Sequence, residues 1–296
     1  MAQFYIAPKV HKQPWKTRPI VSDVGSPLSY LSKVVDAFLQ DLLHLIFGYL
    51  KDSQSLITQL KKLGKLPPTA VIIIADAVAM YTNIDTNHAI FAFQSWFDHH
   101  KSALPTGFPV KFVLLALNLI MRNNVIQFDD TYWLQLTGTA MGTSTACMFA
   151  TIYYAFKEAT DYLKAFLQTD PATPKPMLFY SRLIDDTIQI WDLAKLPNGI
   201  TAHNLVKTIE SRMKFGILEW DVEPPTRQAN FLDLTVTLKD NGSISTKTHI
   251  KAMDLHLQVH PTSFSSLQRC PQKSHLRQRP KILPTKHTHV HFCEDF

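Results

Sequence analysis

Three aspartates define the chemistry open to this sequence. Asp185 and Asp186 are adjacent, and Asp76 closes the run Val71-Ile-Ile-Ile-Ala-Asp76. Carboxylates are hard oxygen donors suited to Mg²⁺, or to Mn²⁺ in its place. Two such ions a few ångströms apart stabilise both the attacking and the leaving oxygen of a phosphoryl transfer. A lone Asp-Asp is more often a surface turn, because Asp is a good turn residue. A second strand-like run that ends in a carboxylate alters those odds. Asp129-Asp130 is the internal control. It also sits in a hairpin pattern, Val125-Ile-Gln-Phe-Asp-Asp-Thr-Tyr-Trp133, but no strand-end carboxylate is matched to it, and it reads as a turn.

The elements that must position the three aspartates are legible in the periodicity. Leu178 to Ile184 is mostly apolar, and Thr187 to Trp191 alternates apolar and polar. Strand, Asp-Asp, strand predicts a β-hairpin with two negative charges at its tip. Val71–Asp76 is a continuous β-branched run, the pattern of a buried strand. Leu28, Leu31, Val34, Val35, Phe38, Leu42 and Leu45 recur at helical spacing, and a second helix is expected from about Ser53 to Leu63. Further helices are predicted over 86–104, 109–122 and 201–215. Strands are predicted at Leu218–Val222 and Phe231–Leu238, with a hairpin turn at Asn241-Gly242. Gln135-Leu-Thr-Gly-Thr-Ala-Met-Gly-Thr-Ser-Thr-Ala-Cys147 is rich in small residues that let a backbone approach a ligand closely, and it opens a long helix from Met148 to about Leu167. The pattern as a whole is α+β.

The chain has 296 residues, 46% of them apolar, enough for a sizeable core in one large domain or two. No apolar run reaches the roughly 18 residues of a membrane span, and the N-terminus does not read as a signal peptide. An intracellular, nuclear or cytoplasmic setting is expected, and the three scattered cysteines favour a reducing compartment. The net charge of +6 is uneven. Residues 1–20 carry +4 from Lys9, Lys12, Lys16 and Arg18, residues 266–296 carry +4, and the middle is acidic at −2. Basic flanks around an acidic centre suit a protein that grips phosphate backbone, and Arg18 is the fork-shaped phosphate ligand among them. His88, His99 and His100 lack partners at ligand spacing and read as packing or surface residues. Residues 265–296 read as a poorly ordered basic tail, in which His287, His289, His291 and Cys293 form a weak metal motif.

Order and spacing say more than any one motif. Pro8-Lys-Val-His-Lys12 with Arg18-Pro-Ile-Val-Ser22, Asp76 through Tyr81-Thr-Asn-Ile84, Gly138-Thr-Ala-Met-Gly142, Ile184-Asp-Asp186 and Asn230-Phe-Leu-Asp-Leu234 follow one another. In that order they resemble the reverse transcriptases of Penelope-like retroelements over about residues 5–260. The resemblance implies a right-hand polymerase fold, with an antiparallel palm sheet and flanking helices. Fingers would span 1–70, palm 71–238 with finger-side helical insertions, and a thumb remnant 239–264. It implies Asp76, Asp185 and Asp186 as Mg²⁺ ligands and Tyr81 as the ring that excludes a ribose 2′-hydroxyl. Met141 and Gly142 would lie against the incoming nucleotide and template base. Arg18, with Lys9 and Lys12, would contact the triphosphate. Its partners would be an RNA or DNA template with a primer, and deoxynucleoside triphosphates.

The sequence departs from that family in places. Leu183 stands where the family has Tyr before the Asp-Asp, and Cys147 stands where it has Pro. No GIY-YIG nuclease pattern follows the shortened thumb, and the region before the fingers is missing, as in a fragment or a decayed element copy. Two readings therefore stand: an RNA-directed DNA polymerase core, and a catalytically inactive, nucleic-acid-binding remnant of one. A third, a group II intron-type or telomerase-like enzyme, has Tyr-Thr-Asn-Ile against it.

Overall fold

The computed structural model of the chain describes residues 2–9, 16–167 and 175–250. Its first half runs β1 (Ala2–Lys9), β2 (Lys16–Ser22), α1 (Ser29–Gln40), α2 (Ser53–Lys61), β3 (Ala70–Ala77), α3 (Thr86–His99), α4 (Val110–Arg122), β4 (Val125–Phe128) and β5 (Thr131–Leu134). There follow α5 (Ala146–Lys157), a π-helical turn at Glu158–Tyr162, α6 (Leu163–Phe166), β6 (Met177–Leu183), β7 (Asp186–Asp192), α7 (Leu205–Met213), β8 (Trp220–Val222), β9 (Gln228–Phe231), β10 (Leu234–Leu238) and β11 (Ile244–Thr248). The strands form three sheets, ordered β2-β1-β4-β5, β6-β7-β3-β8 and β11-β10-β9. Pairing is antiparallel except for a short parallel contact of β1 with β4. This is the α+β architecture expected from the sequence pattern.

The middle sheet carries the core on both faces. Ile73, Ala75 and Ala77 of β3 and Trp191 of β7 pack with Phe93 of α3 and Phe149 and Tyr153 of α5. Ile72, Ile74, Ile188 and Ile190 pack the other way, with Leu56 and Leu60 of α2 and Phe231 and Val236 of the smallest sheet. Burial on both faces is why Val71–Ala75 reads as an unbroken apolar run rather than an alternating one. α5 is buried nearly all round, from Ala146 to Ala155. The π-turn after it carries two further buried residues, Glu158 and Tyr162.

One predicted strand is two. Phe231–Leu238 folds back on itself, with Phe231 opposite Leu234, so that β9 and β10 are joined by Leu232-Asp233 alone. Leu232 adopts a φ of 52°, a conformation in which Gly or Asn would have announced the turn. The other two-residue turns do the same, with φ of 53° at Ile184 between β6 and β7 and 53° at Asp129 between β4 and β5. Asp129-Asp130 is thus the hairpin tip that the sequence implies. Two helices are shorter than predicted: that over 86–104 stops at His99, and that over 201–215 spans Leu205–Met213. Within 239–264, β11 pairs with β10. Residues from 251 onward, including the His287–Cys293 motif and the basic tail, lie outside the described residues, as do Lys12 and most of the loop before β6.

Asp129 is the exposed member of the three strained turn residues and has no core contact to lose. Replacing it by Gly removes a left-handed penalty of order 1 kcal/mol. Asp129→Gly is expected to raise the denaturant midpoint by up to about 1 kcal/mol of stability at an unchanged m-value. A midpoint equal to or below that of the wild type would show that the turn is not strained.

Candidate active site

The carboxylates meet through strand register. β3 and β7 pair over seven residues, from Ala70 opposite Asp192 to Asp76 opposite Asp186. Directly paired residues of an antiparallel sheet point to the same face, so Asp76 and Asp186 are cross-strand neighbours. Asp185 precedes Asp186 in the Ile184-Asp185 turn, and its carbonyl accepts from the Ala77 backbone N–H at 2.9 Å. Like charges placed opposite one another destabilise a sheet by a few tenths of a kcal/mol to about 1 kcal/mol, and a divalent cation offsets that repulsion. All-oxygen donors of this kind fit a hard cation. Among the described residues no three His, Cys, Asp or Glu side chains converge into a completed metal site.

Arg18 and Lys9 bring positive charge to the same place from a different sheet. In the β1–β2 register Ala7 lies opposite Arg18 and Lys9 opposite Lys16, which puts Lys9, Lys16 and Arg18 on one face. Burial pushes the Asp185 carboxyl above its usual range. Its own backbone N–H and the charges of Arg18, Lys9 and Arg182 pull it back towards ionisation. Tyr81 completes the group. Its hydroxyl lies 3.3 Å from Cys147 Sγ, at the start of α5. Burial, and then the contact with Cys147, hold the phenol well above its ordinary value, while the charges of Asp185 and Arg18 also reach it. Asp76, Asp185, Asp186, Arg18, Lys9 and Tyr81 are therefore drawn from four separate stretches of sequence into one region.

The Gly138–Gly142 loop is held by the chain itself. Gly138 and Thr139 donate to the carbonyls of Ile84 and Tyr81 at 2.8 and 2.6 Å, and Val21 donates to the Met141 carbonyl at 2.7 Å. A Cβ on Gly138 would lie 2.3 Å from the Tyr81 carbonyl, and one on Gly142 (φ +118°) would lie 2.5 Å from the Val21 carbonyl. The small residues thus permit close backbone packing between β2, the Tyr81 turn and this loop. Met141 is half-buried beside them. Ser32 of α1 anchors the far end, bonding the Thr145 hydroxyl and accepting from its N–H, both at 3.1 Å.

Two features were not read from the sequence. Asp221 of β8 stands opposite Asp76 on the side away from Asp186, so three carboxylates cross three adjacent strands in a row. Behind the hairpin, the buried Arg182 is bonded to the buried Glu158 at 2.6 and 2.8 Å. Neither could be found without knowing which strands and helices are neighbours.

No protein-family model matches this chain, and no curated protein matches it. Solved structures do. A Candida tropicalis telomerase truncated from its C-terminal domain superposes with a TM-score of 0.56 at 12% identity, over 83% of this chain and 54% of that one. A BmCPV RNA-dependent RNA polymerase at the elongation state gives 0.54 at 12% identity, over 82% of this chain and 22% of that one. The RNA-dependent RNA polymerase of a human picorbirnavirus gives 0.54 at 13%, over 80% and 43%. The chain has the right-hand polymerase fold, and it spans about half the length of the telomerase and less of the viral enzymes.

Because burial disfavours the charged form of Asp185, its ionised state costs stability above its ordinary pKa, and the cost fades as acid protonates it in the fold. In metal-free protein at neutral pH, Asp185→Asn is expected to melt at or above the wild-type temperature, and the difference should close as the pH falls. Added Mg²⁺ should raise the melting temperature of the wild type only. A variant that melts lower at neutral pH would overturn the burial argument.

Proposed function

We propose that this chain is the core of an RNA-directed DNA polymerase, of the kind found in Penelope-like retroelements. The observation that carries the reading is the register that sets Asp76 opposite Asp186, with Asp185 in the adjoining turn and Arg18 and Lys9 facing it. Residues 1–70 serve as fingers and 71–238 as palm, with strands β4 and β5 on the finger side. The substrates are a primer–template and deoxynucleoside triphosphates. The new bond joins the primer 3′-oxygen to the α-phosphorus, and pyrophosphate leaves.

Asp76, Asp185 and Asp186 would hold Mg²⁺, or Mn²⁺, which when bound stabilises negative charge on the attacking and leaving oxygens. The rest falls to the chain's own side chains. Arg18 and Lys9 neutralise and orient the triphosphate, the guanidinium with its paired donors. Lys12, next to them in sequence, is assigned the same duty. The Tyr81 ring, steadied by Cys147, closes the space a ribose 2′-hydroxyl would occupy. Met141 and Gly142 support the nucleotide from the loop that joins β2 to the Tyr81 turn. Leu183, on the same face as Asp186 through their pairing, replaces a polar primer contact with an apolar one. A second reading, a nucleic-acid-binding remnant without catalysis, is favoured by Leu183, which pairs with Asp186 where the resembled family has Tyr.

Primer extension on poly(rA)/oligo(dT) with Mg²⁺ or Mn²⁺ tests the two. Wild type is expected to extend, and Asp185→Asn/Asp186→Asn to lose at least 100-fold in rate, as removal of an essential catalytic group does. Salt-sensitive binding of the hybrid without extension would select the remnant. In the active protein, Tyr81→Ala should admit ribonucleotides at least tenfold more readily relative to deoxyribonucleotides, and unchanged selectivity would remove Tyr81 from the sugar-sensing role.

A further inference from the structure

A buried polar cluster lies behind the hairpin. Arg182 is 3% exposed and Glu158 1%. The guanidinium makes four hydrogen bonds. Nε and Nη2 bond the two Glu158 oxygens at 2.6 and 2.8 Å, and Nη2 also reaches the Thr151 carbonyl at 3.0 Å. Nη1 donates to the carbonyl of Ile184 at 2.8 Å, and the Tyr154 ring lies 5.2 Å from its centre. Tyr180 donates to Glu158 Oε1 as well. A buried ion pair contributes little net stability, since desolvation of both charges offsets their attraction, and an apolar pair of similar volume often does as well. The arrangement therefore calls for a purpose beyond holding the core together.

We propose that Arg182 and Glu158 form a clasp that positions the catalytic turn, fixing Asp185 in the Ile184-Asp185 turn directly before Asp186 at the start of β7. Arg182 is a positioning residue in this scheme, and the proposal rests on the polymerase reading given above. Ile184 is the peptide under load. It is β-branched and has a φ of 53°, a backbone state that such residues avoid and that surrounding structure must enforce. The turn is gripped at two consecutive carbonyls: Arg182 donates to that of Ile184, and the Ala77 N–H to that of Asp185. The grip has a rigid base. Glu158 opens the π-turn that follows α5, the helix at whose start Cys147 contacts Tyr81. Arg182 is also tied through its backbone, whose N–H donates to Gly48 at 2.8 Å and whose carbonyl accepts from Leu50 at 2.9 Å. The same cation lies near enough to Asp185 to favour its ionised form. The helix that supports the nucleotide loop and the hairpin that carries the aspartates are thereby held in one register.

Hydrogen exchange at the turn amides 184–186 of the metal-free full chain, beside thermal melting and Mg²⁺ titration of primer extension, tests the clasp. Arg182→Lys keeps the charge opposite Glu158 but has no fork to reach both it and Ile184. The turn amides should then exchange at least threefold faster, with exchange in α3 unchanged. Arg182→Met/Glu158→Met removes the pair without leaving a lone buried charge. It should melt close to the wild type, exchange at least tenfold faster at the turn, and need at least tenfold more Mg²⁺ for half-maximal extension at an unchanged KM for primer–template. Turn exchange equal to that of the wild type in either variant would overturn the clasp. A wild type that never extends primers would count against the polymerase reading instead, because the exchange result does not depend on activity.

Discussion

The pairing of β3 with β7 is the constraint on which the rest depends. Seven consecutive residue pairs leave no freedom of register, because a slip of one residue would turn Ile72 and Ile74 away from α2 and Ile73 away from α3 and α5. The two faces pack against different partners, so either slip would exchange the two apolar sets and move Asp76 from its place opposite Asp186. The hydrophobic requirement on the inner part of the strand thus specifies the position of the charges at its end. Asp76 faces Asp186 because Ile72, Ile73 and Ile74 upstream are each committed to their own face of the sheet.

That site is electrostatically expensive, and the fold concentrates compensation around it. Asp76 has carboxylates opposite it on both neighbouring strands, and Asp185 is pushed by burial towards its neutral form. Two of the cations that act on Asp185, Lys9 and Arg18, come from β1 and β2, on a sheet separate from the one that holds the aspartates. In the proposed polymerase, joining two sheets around one charge cluster would set negative side chains to gather metal ions beside positive ones that meet the triphosphate. The Gly138–Gly142 loop binds the two parts through backbone bonds to Val21, Tyr81 and Ile84, at distances that exclude any side chain on its glycines. Strain at Ile184 belongs to the same economy. A left-handed β-branched residue in the turn before the aspartates persists only where neighbours enforce it, and Arg182 and Ala77 supply that enforcement.

The right-hand architecture ties this chain to telomerase and viral RNA polymerases at about one residue in eight. Identity so low preserves a fold and little else. What carries the functional reading is local: which residue types occupy the ends of β3 and β7, and which cations face them. Cys147 lies 3.3 Å from the Tyr81 hydroxyl and Leu183 pairs with Asp186, so both border the proposed site without belonging to its carboxylates.

The sequence by itself determined the strands of the middle sheet, the Asp-Asp hairpin, most helices and the positions of the three aspartates. Each of these is written in a local period of two or 3.6, or in a run of β-branched residues, and burial of the matching face enforces it. It did not determine which residue would take the left-handed position in a turn. Leu232-Asp233 and Ile184-Asp185 bend because tertiary packing holds an apolar residue at positive φ, and no local preference announces that. Nor did it determine that β8 would bring Asp221 alongside Asp76, or that Glu158 would meet Arg182 across the core. Those are partnerships between stretches distant in the chain, decided by which faces find one another when the layers close. The glycines of 138–142 show the boundary well. Their identity signalled a close approach, and only the folded chain decided that the approaching partner was its own backbone at Val21 and Tyr81.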